Sequence, residues 1–313
     1  MRSAAITAIG SYLPPRIMTN DELAAIVDTS NEWITSHTGI GTRHLAEGET
    51  ASQMAVKATE NLIKRFKIDP GRIDGVIVAT ATSDYPGFPS TANLVSRHFK
   101  TGGGAFDVAA GCTGFIYALD VARSMILSGT LKNALVIGSE TLSTVIDWKD
   151  RNTCVLFGDG AAAVLLEQVA SGGLSPALLK SESEQAGSLT IDPVSRHITM
   201  DGKAVYHFAV RAIGQTICDV LKVNNLSISE IDWIVPHQAN RRIISATSKR
   251  YGIPEELFYL NIERVANTSA ASIPLALSEM EAGGLLKEGQ KILLVGFGAG
   301  LTYGGSLVTW HRS

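Results

Sequence analysis

The sequence predicts an α/β protein built from two similar halves. Helical and strand periodicities alternate along the whole chain, which is the pattern of mixed α/β packing. Strand and helix units also recur in the same order at nearly one long spacing. With 313 residues, 45% of them hydrophobic, the chain can bury a large core in one big domain or two joined halves.

The elements follow in order. "TNDELAAIV" opens a helix with Thr19 and, three residues on, Glu22, a capping-box pattern. "ETASQMAVKATENLIKRF" sets Met54, Ala55, Ala58, Leu62 and Phe66 on one helical face. "DGVIVATAT", "NALVIGSE" and "AAAVLLE" read as buried strands. Phe115, Leu119, Ala122 and Met125 have helical spacing, and Gly129 marks that helix's stop. "GKAVYHFAVRAIGQTICDVLKVN" reads as a long helix after a turn at Asp201 and Gly202. "DWIVPHQANRRIISATSKRYG" reads as a strand, then Pro-His, then a helix. The glycine-rich "GFGAGLTYGG" follows the strand "KILLV". The Ser-, Gly- and Glu-rich stretch 170–197 is the expected connection, dividing the chain into halves 1–169 and 170–313.

Three matches support duplication. "IDGVIVAT" (73–80) resembles "IDWIVPHQ" (231–238), and "KNALVIGSE" resembles "QKILLVGFG", with Ala134 opposite Ile292. "AFDVAAGCTGFIYALDVA" resembles "NIERVANTSAASIPLALS", with Cys112 opposite Asn267. "GAAAVLLE" and "GGSLVTW" close the two halves. Duplication would place Cys112 and Asn267 at equivalent strand-to-helix junctions facing one cleft.

Composition excludes several classes. A net charge of -3 gives no basic footprint for nucleic acid. The start "MRSAAITAIGSYLPP" lacks the features of a signal peptide, and no apolar run is long enough to span a membrane. The three cysteines, Cys112, Cys154 and Cys218, form neither a disulfide framework nor a zinc pattern. The expectation is a cytoplasmic protein without a metal.

Cys112 sits at or just before a helix start, where free N–H groups and the helix dipole favour a thiolate. Gly111 and Gly114 clear space beside it. A buried, inert thiol fits the same residues equally well. His237 stands at the end of a strand, where open α/β sheets build sites, though a lone histidine is more often structural. Asn267 precedes a helix and would by default be an N-cap. The loop 296–305 suits an oxyanion better than a dinucleotide, because a strand rather than a helix follows it.

The stretches "DVAAGCTGFIYAL", "VPHQANRRIISA", "NTSAASIPLAL", "LFGDGAAAVLL" and "GFGAGLTYGGSL" closely resemble the β-ketoacyl-acyl carrier protein synthase III family. So do "GSYLPPRIMTNDEL" and "DTSNEWITSHTGI" near the start. The resemblance implies a thiolase-like fold, two pseudo-repeated halves in an α-β-α-β-α sandwich, and a homodimer that starts type II fatty acid synthesis. It implies that Cys112 takes an acyl group from acyl-CoA. His237 and Asn267 would stabilise the enolate formed from malonyl-acyl carrier protein. The backbone N–H groups of Cys112 and Ala299 would form an oxyanion hole. Thr29, Trp33, His37, Arg151 and Asn240 match CoA or pantetheine contacts. Arg241, Arg242 and Lys249 give a basic helix for the carrier protein. Leu142, Phe157 and, across the dimer, Phe88 would shape the acyl pocket. CoA enters as substrate, with no cofactor or metal implied.

The chain departs from the family pattern at several points. His37 stands for an arginine, Ala299 and Ala266 for glycines and Lys203 for an asparagine, and the 183–197 loop is short. The Cys, His, Asn order also occurs in papain-like proteases, but their local signature is absent. Acyltransferases and condensing enzymes of secondary metabolism carry the same three residues. A catalytically dead carrier-binding protein would not need them.

Overall fold

The computed structural model describes residues 3–311. One sheet is formed by β1 (Ser3–Tyr12), β4 (Gly75–Ala79), β5 (Gly104–Val108), β6 (Asn133–Glu140) and β7 (Gly160–Val169), in the order β1-β7-β6-β4-β5. A second contains β8 (Gly173–Leu174), β9 (Leu178–Ser181), β12 (Trp233–Pro236), β13 (Lys291–Gly298) and β14 (Thr302–Thr309). Its order is β12-β13-β14-β8, with β9 also on β14. β4, β5 and β6 run parallel, as do β12 and β13. Two small ribbons lie outside the sheets: β2 (Arg16–Thr19) with β3 (Thr42–Leu45), and β10 (Leu189–Ile191) with β11 (Ile198–Met200).

Strand periodicity builds the layers. On β4, Ile77 and Ala79 join the central core while Val76 and Val78 face the outer one. Successive side chains on a strand point to opposite faces, so a strand covered on both sides reads as a continuous apolar run. The central core is filled by α5 (Gly114–Leu127) and α10 (Ser272–Ala282), which touch both sheets. α3 (Ala51–Phe66) and α4 (Thr91–Phe99) cover the first sheet's outer face. α7 (Gly202–Val223) and α8 (Arg241–Tyr251) cover the second's. The result is a five-layered α-β-α-β-α sandwich with the thiolase-like arrangement.

Local signals act as read, with three differences. Thr19 and Glu22 do form a capping box, but α1 (Asn20–Ala24) is only five residues long. Asp201 is not part of a turn: its carboxylate accepts from the N–H groups of Lys203 and Ala204 and caps α7. The stretch 170–197 is not a plain connection, since it supplies β8, β9 and β10. The internal match is also corrected. The 3-10 turn Gly111–Thr113 corresponds to Ser269–Ala271, and the start of α5 to that of α10. Cys112 therefore stands opposite Ala270. Asn267 lies three residues earlier, after the short α9 (Ile262–Val265), which the first half lacks.

Candidate active site

β5 delivers the chain to the Gly111–Thr113 turn, which runs straight into α5 and holds Cys112 at its middle. Gly111 adopts φ +50°, where glycine is favoured, and a Cβ there would stand 3.1 Å from the Ala299 Cβ. The end of β13 closes on the cysteine even more tightly: a Cβ on Gly298 would lie 3.0 Å from Sγ and 2.7 Å from Cβ of Cys112. Thr113 Oγ1 donates to the Thr302 carbonyl (3.1 Å), and Thr302 Oγ1 donates to the Ala299 carbonyl (3.0 Å). These bonds tie the loop 299–302 to the cysteine turn.

Burial pushes the Cys112 thiol up to about 11. The Ser269 hydroxyl and the N–H groups of Ala299 and Cys112 act in the opposite direction but do not overcome it. The helix-start argument from sequence is thus reversed, because desolvation outweighs the local dipoles.

His237 follows β12, its backbone N–H donating to Val295 (2.7 Å). Its ring packs 4.8 Å from the Phe297 ring, and Nδ1 lies 2.7 Å from Ser272 Oγ at the start of α10. With Nδ1 held there, Nε2 is the nitrogen available to a ligand. Burial drives the imidazole down to about 3, so the ring is neutral. Asn267 is not an N-cap. Its backbone pairs with 156–158, and its Oδ1 accepts from the Ser269 N–H (2.9 Å), leaving the Nδ2 donors free for a ligand. Gln238 fixes this region: its Oε1 accepts from Asn261 and Ile262, and its Nε2 donates to the Tyr259 carbonyl.

Two cavities meet at Cys112. One, of about 90 Å³, is lined by Cys112, His237, Asn267, Asn240, Tyr206 and Phe297 among others. The other, of about 490 Å³ and mostly apolar, is lined by Cys112, Ala299, Leu142, Phe157, Ile191 and Ile198 among others. The structure therefore brings Cys112, His237, Asn267, Ala299, Asn240, Leu142 and Phe157 together. Phe88 is elsewhere, 92% exposed, and does not line its own chain's cavity.

The expected nucleotide contacts lie on α2 (Asn31–Thr38), on α6 (Arg151–Cys154) and beside them. His37 stacks on Trp33 at 4.4 Å, and the Arg151 guanidinium lies 5.0 Å from the Trp33 ring centre. Asn240 caps α8 and donates from Nδ2 to the His37 carbonyl (2.9 Å), joining this patch to the small cavity. Thr29 Oγ1 is buried without a hydrogen-bond partner. Arg241, Arg242 and Lys249 are all exposed on α8.

Sequence reading missed several site residues. Leu189, Ile191 and Ile198 line the large cavity from the ribbon β10–β11, and the alternation Leu189, Ile191 was their signal. Ser269 and Glu140 were also missed. Ser269, at φ +48°, borders the large cavity and engages Asn267. Glu140 ends β6 fully buried.

The family model described as 3-Oxoacyl-[acyl-carrier-protein (ACP)] synthase III matches residues 106–183, and the model of its C terminal part matches 221–310. The chain is similar to proteins named beta-ketoacyl-[acyl-carrier-protein] synthase III. The one from Paramagnetospirillum magneticum is 48% identical over 97% of this chain and 98% of that one. The one from Clostridium tetani is 43% identical with the same coverage. The crystal structure of 3-oxoacyl-[acyl-carrier-protein] synthase III from Aquifex aeolicus superposes with a TM-score of 0.95 at 42% identity, over 98% of this chain and 100% of that one. With its five layers, its cysteine at a helix start and this full-length similarity, the chain belongs to the 3-oxoacyl-[acyl-carrier-protein] synthase III family.

Proposed function

We propose that this chain joins an acyl-CoA primer to malonyl-acyl carrier protein by decarboxylative Claisen condensation, the initiating step of type II fatty acid synthesis. One observation carries the reading. Cys112 stands between an apolar cavity sized for an acyl chain and a small one lined by His237 and Asn267. Its sulfur attacks the acyl thioester, and the N–H groups of Cys112 and Ala299 receive the tetrahedral oxyanion. CoA leaves, and the acyl group rests against Leu142 and Phe157. Malonyl-carrier protein then places its thioester carbonyl against His237 Nε2–H and Asn267 Nδ2. This role requires the ring proton on Nε2, with Nδ1 accepting from the Ser272 hydroxyl 2.7 Å away. As carbon dioxide leaves, its bonding electrons form an enolate, which attacks the acyl carbon and expels the Cys112 thiolate.

In the same reading Trp33, His37, Arg151 and Thr29 receive the nucleotide, and Asn240 the pantetheine arm. Arg241, Arg242 and Lys249 dock the acidic carrier protein. The protein works as a cytoplasmic homodimer of chains with halves 1–169 and 170–313, each Phe88 closing the partner's acyl cavity. The exposure of Phe88 and the open edge of β5 support that pairing. Among the described residues no helix is long and apolar enough to cross a membrane. Purified protein with malonyl-carrier protein and acetyl-, longer or branched acyl-CoA should yield β-ketoacyl product and carbon dioxide. No product from any primer would overturn the reading. Light scattering that finds only monomer would overturn the dimer.

A further inference from the structure

The Cys112 proton must go somewhere when the sulfur becomes a nucleophile, and the cavities offer no obvious acceptor. Among the described residues, neither is lined by a lysine, arginine, aspartate or glutamate. His237 is the one imidazole there, and burial leaves it a very weak base.

Behind the wall, however, lies Glu140. It ends β6 and is fully buried. Its Oε2 accepts from the Ala81 N–H (3.0 Å), Thr82 Oγ1 (2.8 Å) and Thr80 Oγ1 (3.3 Å). Its Oε1 has no partner at hydrogen-bond distance, although the Ser269 hydroxyl and the Ala270 N–H lie near enough to favour its charge. A buried carboxylate oxygen left bare is costly and calls for an explanation. Between Glu140 and Cys112 stands the Ser269–Ala271 turn, which packs on both β6 and the cysteine turn. The packing is tight enough that Gly138 has no room for a side chain against the Ala270 backbone. The Ser269 hydroxyl lies near enough to favour the ionised forms of both Cys112 and Glu140, though it bonds closely to neither at rest. The Ser269 N–H is meanwhile held by Asn267 Oδ1, which fixes the turn.

We propose that Glu140, acting through the Ser269 hydroxyl, is the base that activates Cys112. The thiol proton passes to Ser269 Oγ as the Ser269 hydroxyl proton passes to Glu140 Oε1. The freed sulfur electron pair forms the S–C bond to the acyl carbon. The thioester C–S bond then breaks, CoA leaves as thiolate, and the proton returns through Ser269 to the coenzyme sulfur. One negative charge is present throughout, on the carboxylate first and on the reacting atoms afterwards. Burial therefore opposes the transfer far less than it opposes ionising the thiol alone. Burial also raises Glu140 above the usual carboxylate range, which brings it nearer to the thiol.

The inference rests on Cys112 being the nucleophile, so the test separates the two claims. Iodoacetamide alkylation of Cys112 at fixed neutral pH, read by peptide mass, reports thiolate formation without any acyl substrate. Glu140→Gln keeps an acceptor oxygen for Ala81 and Thr82 and should slow alkylation and acyl transfer by about 10²-fold or more. Ser269→Gly suits φ +48°, keeps the backbone N–H and removes only the hydroxyl, and should slow both similarly. Melting temperatures identify a variant that fails to fold, and Ser269→Gly then decides for Glu140→Gln. If Glu140 merely repels the thiolate, Glu140→Gln alkylates faster; faster or unchanged alkylation overturns the relay. If wild-type protein mixed with acyl-CoA gains no acyl mass on Cys112, the nucleophile reading itself falls, whatever the alkylation rates show.

Discussion

Replacing Gly298 with alanine should cripple acyl transfer while leaving the fold intact. A Cβ at 298 would sit 2.7 Å from the Cys112 Cβ, 3.0 Å from its Sγ and 3.1 Å from its backbone N. Carbon atoms pack best at about 3.5–4.0 Å, so the overlap approaches 1 Å. The contacted atoms belong to a short turn and a one-carbon side chain, neither of which can swing away. The alanine must displace the cysteine turn or the end of β13, and overpacking of this kind costs about 1–3 kcal/mol. Displacing reacting groups by about 1 Å can cost around 10²-fold in rate. Gly298 has no positive φ, so space and not backbone conformation demands glycine there. Acylation measured by rapid quench and peptide mass should fall by about 10²-fold, with a melting point lowered by a few degrees. Gly187→Ala, in open space, should change neither. If Gly298→Ala acylates within about threefold of wild type, the steric argument is wrong.

Three other outcomes are expected. Trp33→Ala removes the partner of both His37 and Arg151, so KM for acyl-CoA should rise roughly tenfold with kcat nearly unchanged in steady-state assays. His237 is depressed to about 3 from 6.5, so the unfolded chain binds an extra proton between those values. Its contribution to stability is complete above about pH 6.5 and is lost as pH falls toward 3. Urea midpoints of wild type should accordingly fall more steeply across that window than those of His237→Gln. Turnover should survive dialysis against a chelator, because each proposed step uses only side chains and backbone donors.

What the sequence revealed and what it hid divide on physical lines. The layers were legible because buried strands and amphipathic helices impose periods of two and about 3.6 on the chain. The face Met54, Ala55, Ala58, Leu62 is an instance, packed as read. The charge state of Cys112 was not legible. A helix start is visible locally, but the burial that outweighs it comes from packing against β13, far away in sequence. The match of Cys112 to Asn267 failed by three residues because the inserted α9 shifts the chain just before the turn, and residue likeness cannot register such a shift. Ser269 and Glu140 escaped notice for a related reason. A serine and a glutamate are unremarkable until the fold buries one and wedges the other beside a thiol.

Among the described residues neither cavity is lined by a lysine or arginine, which bears directly on the proposed decarboxylation. A lysine or arginine beside the malonyl carboxylate would stabilise the bound substrate and make carbon dioxide harder to release. The small cavity instead offers Phe297, Val205, Ile243 and neutral donors. In the proposed reaction the malonyl carboxylate would be poorly solvated there, and its loss would move the charge to an enolate oxygen facing His237 and Asn267. Tyr206→Lys tests this, since Tyr206 is half-buried and borders the cavity. An ammonium there should lower KM for malonyl-carrier protein and lower kcat with it, the kinetic sign of ground-state stabilisation. Tyr206→Leu controls for the lost ring. Should Tyr206→Lys bind malonyl-carrier protein more tightly and still decarboxylate at the wild-type rate, the missing cation has no catalytic meaning.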